Sequence, residues 1–270
     1  MTPVPAQARP ADLRYSPPSW RHSPLRTATA RHIRGLYAGY RDDRPQAVAT
    51  LARLRRGLGQ PLHAQPDLWG LIGFDSYQQE LVEAPAPAET KYWKKAATLD
   101  RAETALHLTL TLWALHQQSH RDTPVHVGGW SLGRSVRHLM RTKTAGKGAD
   151  LAGTDGTGTT SRKADVEIDE PLRKRFVRIA AATSLDVMAQ RLRELVLLLR
   201  TAGLPLDYGL LADQLLRWQE PDGPAEVHRF WGRDFHLAGM DRPSATESRE
   251  HQDAVPETAG TVTERLPSAD

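Results

Sequence analysis

The apolar residues of this chain recur with the three-to-four-residue spacing of an amphipathic α-helix. The clearest case is "SLDVMAQRLRELVLLLRTAG", residues 184–203, in which Ser184 is a predicted N-cap and Gly203 a predicted helix end. The predicted buried stripe consists of Leu185, Met188, Leu192, Leu195, Val196 and Leu199. A second helix, "PLDYGLLADQLLRWQ", follows, with Asp207 as its N-cap and Leu211, Leu215 and Trp218 facing inward.

A third strong pattern lies in the first half of the chain, in "DRAETALHLTLTLWALHQQSH", residues 100–120. Asp100 is a predicted N-cap, with Glu103 in the position of a capping box, and Leu106, Leu110, Trp113 and Ala114 line one face. Shorter patterns predict helices at 28–40, 46–57, 67–74, 131–141, 171–182 and 225–236. The strand-like run "VHV" at 125–127 is too short to build a sheet, so the predicted fold class is all-α.

Three segments lack the periodic spacing of apolar residues that a buried helix needs. Residues 1–27 are rich in Pro, Ala and Arg and predict a disordered N-terminal tail, and residues 238–270 predict a disordered acidic tail. Residues 143–170, with "TAGKGADLAGTDGTGTTSRKAD", predict a long, flexible Gly/Thr-rich insertion at the surface. These segments leave two parts that can fold, residues 28–142 and 171–237.

Charge is distributed unevenly along the chain, whose net charge is +4. The N-terminal tail carries +3, the insertion −2 and the acidic tail −4, which leaves +7 on the two folding parts. Nearly all of this positive charge is arginine. A GC-rich genome is one explanation, and selection for a guanidinium that grips phosphate bidentately is the other. Asn is absent, so a contact from Asn to adenine is unavailable, which favours contact with the nucleic-acid backbone over base reading.

The composition excludes several classes of chemistry and of location. The chain has no cysteine, so disulfides, Cys-ligated zinc and thiol catalysis are excluded. No run approaches the roughly 18 apolar residues of a membrane helix. The N-terminus lacks the apolar core of a signal peptide. We therefore expect a cytoplasmic protein with no membrane partner.

The sequence "GWSLG", residues 129–133, matches the G-x-S-x-G nucleophile elbow of serine hydrolases. That elbow needs a preceding strand in an α/β sheet, which the all-α pattern does not supply. The alternative role of Ser131 is an N-cap, because its hydroxyl can accept from a free amide of the helix that follows. We expect the N-cap, with the hydrolase kept as a rival.

The sequence "HQQSH" places His116 and His120 four residues apart on one helix face, which is the spacing of a zinc-binding pair. The glutamate of the protease motif is absent, and Asp122 is the one further ligand nearby. The alternative is that both histidines interact with the carbonyl end of the helix. We expect no metal and no cofactor.

Basic residues lie on the outer face of three short predicted helices. In "SLGRSVRHLMR" the arginines are spaced three and four apart, opposite Leu132, Val136 and Leu139. The segments "PLRKRFVRIAAATSL" and "LARLRRGLG" repeat this arrangement. The candidate nucleic-acid-binding residues are Arg53, Arg55, Arg56, Arg134, Arg137, Arg141, Lys174 and Arg178. A single such helix is usually a solvated face, but three together indicate a surface for a polyanion.

The order of several motifs resembles the CasB family, the small subunit of the type I-E CRISPR surveillance complex called Cascade. The motifs are "RLRRG", "LTLWALHQQS", "SLGRSVRHL", "RKRFVRIAAATSLDVMAQRLRELVLLLRTAGLPLDYGLLADQLLRWQ" and "WGRDF". They run from about residue 30 to residue 237, and the block at 173–219 is the most specific. The insertion and both tails depart from the family pattern.

The resemblance implies an all-α fold of two small helical bundles packed together and a protein that is not an enzyme. It implies two copies placed head-to-tail in an RNA-guided complex, in contact with the backbone subunits and the large subunit. Its nucleic-acid partners would be the CRISPR RNA, the target strand and the displaced non-target strand of the R-loop. A separate helicase-nuclease would cut the DNA.

Three of the candidates match basic residues of the family motifs, namely the Arg55–Arg56 pair and Arg134 of "SLGR". The other candidates follow from helical spacing alone, and some of them could face partner subunits or form internal ion pairs. Trp130 could stack on a base, although packing on the core is the alternative. Two rival functions remain at this point, a scaffold subunit with incidental charge and the hydrolase at Ser131.

Overall fold

The structure is a computed structural model that describes residues 23–83, 96–151 and 169–238. These residues form nine α-helices and two short 3₁₀ turns, at Leu62–Ala64 and Pro66–Leu68. The helices are α1 (Pro24–Arg41), α2 (Pro45–Gly57), α3 (Phe74–Glu83), α4 (Ala96–Gln117), α5 (Leu132–Leu151), α6 (Glu170–Ala180), α7 (Leu185–Thr201), α8 (Tyr208–Trp218) and α9 (Gly223–Leu237). The predicted all-α class is confirmed. The "VHV" run contributes a single bridge between His126 and Leu206.

Side-chain hydrogen bonds cap the starts of α7 and α8. Ser184 accepts a hydrogen bond from the Val187 amide at the start of α7, and Asp207 accepts one from the Leu210 amide at the start of α8. Both caps were predicted and are confirmed. The predicted cap at Asp100 is wrong, because α4 begins at Ala96 and Asp100 lies inside the helix.

Helix α4 lies at the centre of the core. Its residues from Ala105 to Ala114 are all buried, rather than only the predicted face, because neighbours surround the helix. It packs against α2, α7 and α8, and α8 packs in turn against α1. Helices from the two predicted folding parts therefore contribute to a shared core, while the predicted domain boundaries stay a prediction.

The predicted helix at 67–74 is wrong, and α3 begins where that prediction ends. Gly70 and Gly73 adopt positive φ values of 76° and 70°, which a right-handed helix does not allow. At Gly73 a Cβ atom would lie 2.7 Å from Cγ of His32, so the turn also needs the small residue for space.

The third difference concerns the end of α5, which runs on to Leu151 and so enters the segment predicted as an insertion. Asp169 then caps α6 by accepting from the Leu172 amide. The rest of the predicted insertion, 152–168, lies outside the described residues, as do both tails except for 23–27 and Ala238. Among the described helices, none has the length and apolar character that crossing a bilayer requires.

Candidate nucleic-acid interface

Ser131 caps α5, the helix that carries Arg134, Arg137 and Arg141. Its hydroxyl oxygen accepts from the Arg134 amide at 3.2 Å, which confirms the predicted N-cap. Ser131 is buried, and no strand precedes it in the described part of the chain, so the context of a nucleophile elbow is missing.

The loop before α5 is anchored by a buried carboxylate. Oδ2 of Asp207 accepts from the Gly129 amide at 2.9 Å and from the Arg26 guanidinium at 2.7 Å. The Asp207 amide donates to the Trp130 carbonyl oxygen at 2.6 Å. The cap of α8 therefore also holds the loop that presents Trp130.

Trp130 lies beside the basic face of α5 and is only half-buried. The guanidinium of Arg134 sits 4.9 Å from the centre of its ring, within the range of a cation–π contact. The imidazole of His138, one turn further along α5, lies 4.8 Å from the same ring. An aromatic ring and a cation therefore occupy one patch, which we call the Trp130 patch and define as Trp130, Arg134 and His138.

Arg137 is placed differently from Arg134. Its guanidinium lies 5.4 Å from the Phe235 ring of α9, and Phe235 stacks on Phe176 of α6 at 5.4 Å. Burial lowers the pKa of Arg137, and the nearby charge of Arg141 lowers it further. Arg137 thus belongs to the seam between α5, α6 and α9 and contributes to packing as well as to charge.

Lys174 and Arg178 are exposed on the outer face of α6, as the helical spacing predicted. The opposite face of the helix buries Leu172, Phe176 and Ile179. Neither cation has an ion-pair partner among the described residues. Because α6 packs against α5 and α7, its basic face belongs to the same group of helices as the Trp130 patch.

The arginines of α2 form a second basic group. Arg53 and Arg56 are exposed and Arg55 is half-buried, while Leu51 and Leu54 enter the core. Helix α2 packs on α1 and α4, whereas α5 packs mainly on α9. The eight candidates are therefore carried by two groups of helices that share one core.

The two histidines of "HQQSH" have partners other than a metal. Nδ1 of His116 lies 2.8 Å from the Tyr208 hydroxyl, and burial lowers the His116 pKa to about 3. Nε2 of His120 lies 3.2 Å from the Arg200 carbonyl oxygen, at the end of α7. In the described ranges, no three His, Asp or Glu side chains are grouped so that they could hold a metal ion.

Two members of this region were not among the sequence candidates. His138 follows Arg134 by four residues, so helical spacing could have placed it in the patch. Phe235 is far from Arg137 in sequence, and no local signal pairs them.

The matches to known proteins agree with the all-α architecture. A family model described as CRISPR-associated protein Cse2 matches residues 50–236. The crystal structure of CasB from Thermobifida fusca is similar, with 43% sequence identity and a TM-score of 0.60, over 79% of this chain and 98% of that chain. No curated protein gives a significant match. The resemblance predicted from the motif order is confirmed, and the chain belongs to the CRISPR-associated protein Cse2 family.

Proposed function

We propose that this chain is the non-catalytic small subunit of a type I-E Cascade complex in the cytoplasm, and that its basic helices hold the displaced DNA strand of the R-loop. The observation that carries the proposal is the Trp130 patch, in which the Arg134 cation lies over a half-buried indole ring. The family supports a CRISPR-associated subunit, and the patch supports its contact with a single strand.

The physical need for such a surface follows from the energetics of R-loop formation. Exchanging a DNA duplex for a guide–target heteroduplex is nearly balanced, so contacts from protein to the strands decide the outcome. The displaced strand has arbitrary sequence, and it must be held by its phosphates and by stacking rather than by base-edge contacts. Arginine beside an aromatic ring supplies both interactions without reading sequence.

The two basic groups take different parts of this task. Arg134, Arg141, Lys174 and Arg178 on α5 and α6 bind phosphates of the displaced strand, and Arg137 joins them from the seam beside Phe235. Arg53, Arg55 and Arg56 on α2 face the guide–target region or a neighbouring subunit. The protein partners are the backbone subunits, the large subunit and a second copy of this chain.

The second candidate function is a scaffold subunit whose charge is incidental. The observation that favours it is the placement of Arg137, whose contact with Phe235 gives that arginine a packing role without any ligand. Arg134 likewise has an internal partner in Trp130. The two functions predict different results for a variant that loses a charge but keeps its packing. Its affinity for DNA falls if the basic helices bind the strand, and it is unchanged if their charge is incidental.

The test is binding of the purified chain to a labelled single strand across salt. With about four phosphates engaged, log K falls against log salt with a slope near −2.8, since each single-strand contact contributes ~0.7. Arg134→Gln should flatten this slope by about 0.7. The matched control is Arg44→Gln, which removes the same charge from an exposed residue before α2.

The variants are then compared in the reconstituted complex. We expect R-loop stability to fall with Arg134→Gln and to stay unchanged with Arg44→Gln. Equal R-loop stability in both variants and the wild type would support the scaffold instead. The rival hydrolase function would require that the wild type hydrolyses an ester and that Ser131→Ala does not.

A further inference from the structure

A cleft of about 440 Å³ opens on the surface, and none of the basic candidates is among its lining residues. One wall is the loop that follows α2, from Gly59 to His63, together with Trp69. The other walls are the stretch of α4 from Asp100 to Thr111 and the first turns of α7.

The mouth of the cleft is acidic, in contrast to the basic folding parts of the chain. Its carboxylates are Asp100 and Glu103 of α4 and Asp186 of α7, and no Lys or Arg is found among the described lining residues. None of the three carboxylates has an ion-pair partner in the described ranges. Phosphate is repelled by such a mouth, whereas a cation is attracted.

An aromatic side chain lines the same cleft as these carboxylates. Trp69 is 61% exposed, which is unusual for the most hydrophobic of the aromatic residues. An indole ring is the best aromatic partner for a guanidinium or an ammonium group. Exposed tryptophan next to unpaired carboxylate is therefore the chemistry of a site for a cationic side chain.

The buried side chain of His107 also lines the cleft. His107 is 7% exposed, and its Nε2 has no hydrogen-bond partner among the described residues. Burial lowers the His107 pKa to about 4, so the imidazole is neutral at pH 7 and does not repel a cation. The Nε2 atom lies on the side of α2, 3.4 Å from the place of a Cβ atom at Gly57, so His107 closes the inner side of the cleft without adding charge to it.

We propose that this cleft is a protein-docking site that takes an arginine side chain from a partner subunit. The guanidinium stacks on Trp69 and pairs with the carboxylates of Glu103 and Asp186. Arginine suits the site better than lysine, because its planar group stacks while its several N–H donors reach separate acceptors. The proposal is independent of where the DNA lies.

The first test is incorporation of the full chain into the reconstituted complex. The double variant Glu103→Gln/Asp186→Asn, and separately Trp69→Ala, should each lower the affinity for the complex by about tenfold. The matched control is Glu194→Gln, which removes an exposed carboxylate further along α7 and outside the cleft. All variants are checked by thermal unfolding, and Trp69→Ala alters a side chain that is largely outside the core.

The second test identifies the occupant. A photoreactive phenylalanine analogue replaces Trp69 in the assembled complex, and the crosslinked peptide is sequenced. We expect a peptide of a partner subunit that contains arginine. Incorporation of both cleft variants at the control level, a crosslink to this chain's own residues 84–95, or a crosslink to nucleic acid would overturn the proposal. Loss of incorporation with wild-type affinity for a free single strand separates this site from the Trp130 patch.

Discussion

Gly133, the glycine of the "SLGR" motif, lets α5 approach the backbone of α9 closely. A Cβ atom at this position would lie 2.6 Å from the Trp231 carbonyl oxygen and 2.7 Å from the Phe235 amide nitrogen. Backbone cannot move aside as a side-chain tip can, so Gly133→Ala should force the two helices apart. We expect a loss of ~1–3 kcal/mol in the free energy of unfolding, measured with urea.

The control for this substitution lies on α9 itself. A Cβ atom at Gly232 meets no atom within 4 Å, so Gly232→Ala should be neutral or should stabilise the helix by ~0.5–1 kcal/mol. Equal stability of the two variants would mean that the contact between α5 and α9 accommodates a Cβ atom at Gly133. Because Gly133 directly precedes Arg134, its substitution should also weaken single-strand binding.

Asp213 makes stability depend on pH. It is buried on α8, and burial raises its pKa from 3.8 to about 6, against opposing effects of the Ser23 hydroxyl, Arg26 and Arg217. Between these two pH values the folded protein binds more protons at this site than the unfolded chain does. The contribution of Asp213 to stability therefore falls as pH rises from about 4 to about 6 and is level above that.

The variant Asp213→Asn isolates this effect. The wild type should lose up to ~3 kcal/mol of unfolding free energy relative to the variant between pH 4 and pH 7, which urea titrations at several pH values would measure. Other titrating groups contribute equally to the pH dependence of both proteins, so their contribution cancels in the difference between the two unfolding free energies. Parallel pH profiles would contradict the raised pKa.

At the scale of the element, the N-cap of α5 stabilises the helix turn that carries Arg134, a residue of the proposed DNA-binding surface. Ser131→Ala removes the acceptor for the Arg134 amide, so we expect a loss of ~1 kcal/mol in unfolding free energy. Ser131→Thr keeps a hydroxyl and should recover most of it. If the alanine variant is as stable as the wild type, the cap is not what fixes the start of α5.

The helices themselves were predictable where the apolar period is long and a capping side chain is present. Helices α7 and α8 satisfy both conditions, and Ser184 and Asp207 mark their starts. The prediction failed at 67–74, because Gly70 and Gly73 adopt positive φ values and Gly73 packs against His32 of α1, a contact that the apolar spacing does not reveal. The burial of α4 from Ala105 to Ala114 likewise depends on neighbours that are distant in sequence.

At the scale of the whole molecule, the candidate site was predictable in part. Helical spacing places Lys174 and Arg178 outward on α6, and the structure agrees. Spacing alone cannot show that Arg137 turns to Phe235, because α5 and α9 are far apart in the chain. The acidic cleft has no sequence signature at all, since the loop after α2, α4 and α7 bring its residues together.

The distribution of charge over the whole chain yields the last prediction. The segment 239–270 carries −4, and the folding parts carry +7, so an acidic segment tethered to a basic body competes with DNA for the same cations. Deleting 239–270 should therefore tighten single-strand binding at low salt, and the gain should vanish near 1 M salt, where the screening length is ~3 Å. The deletion spares α9, which ends at Leu237.

A control separates competition from a general change in charge. In the deleted chain, Arg134→Gln should still flatten the salt dependence, because the strand continues to occupy the same face of α5. Unchanged affinity after the deletion would mean that the acidic segment does not reach the basic helices. A gain in affinity that persists at high salt would mean that the segment blocks the surface by contact rather than by charge.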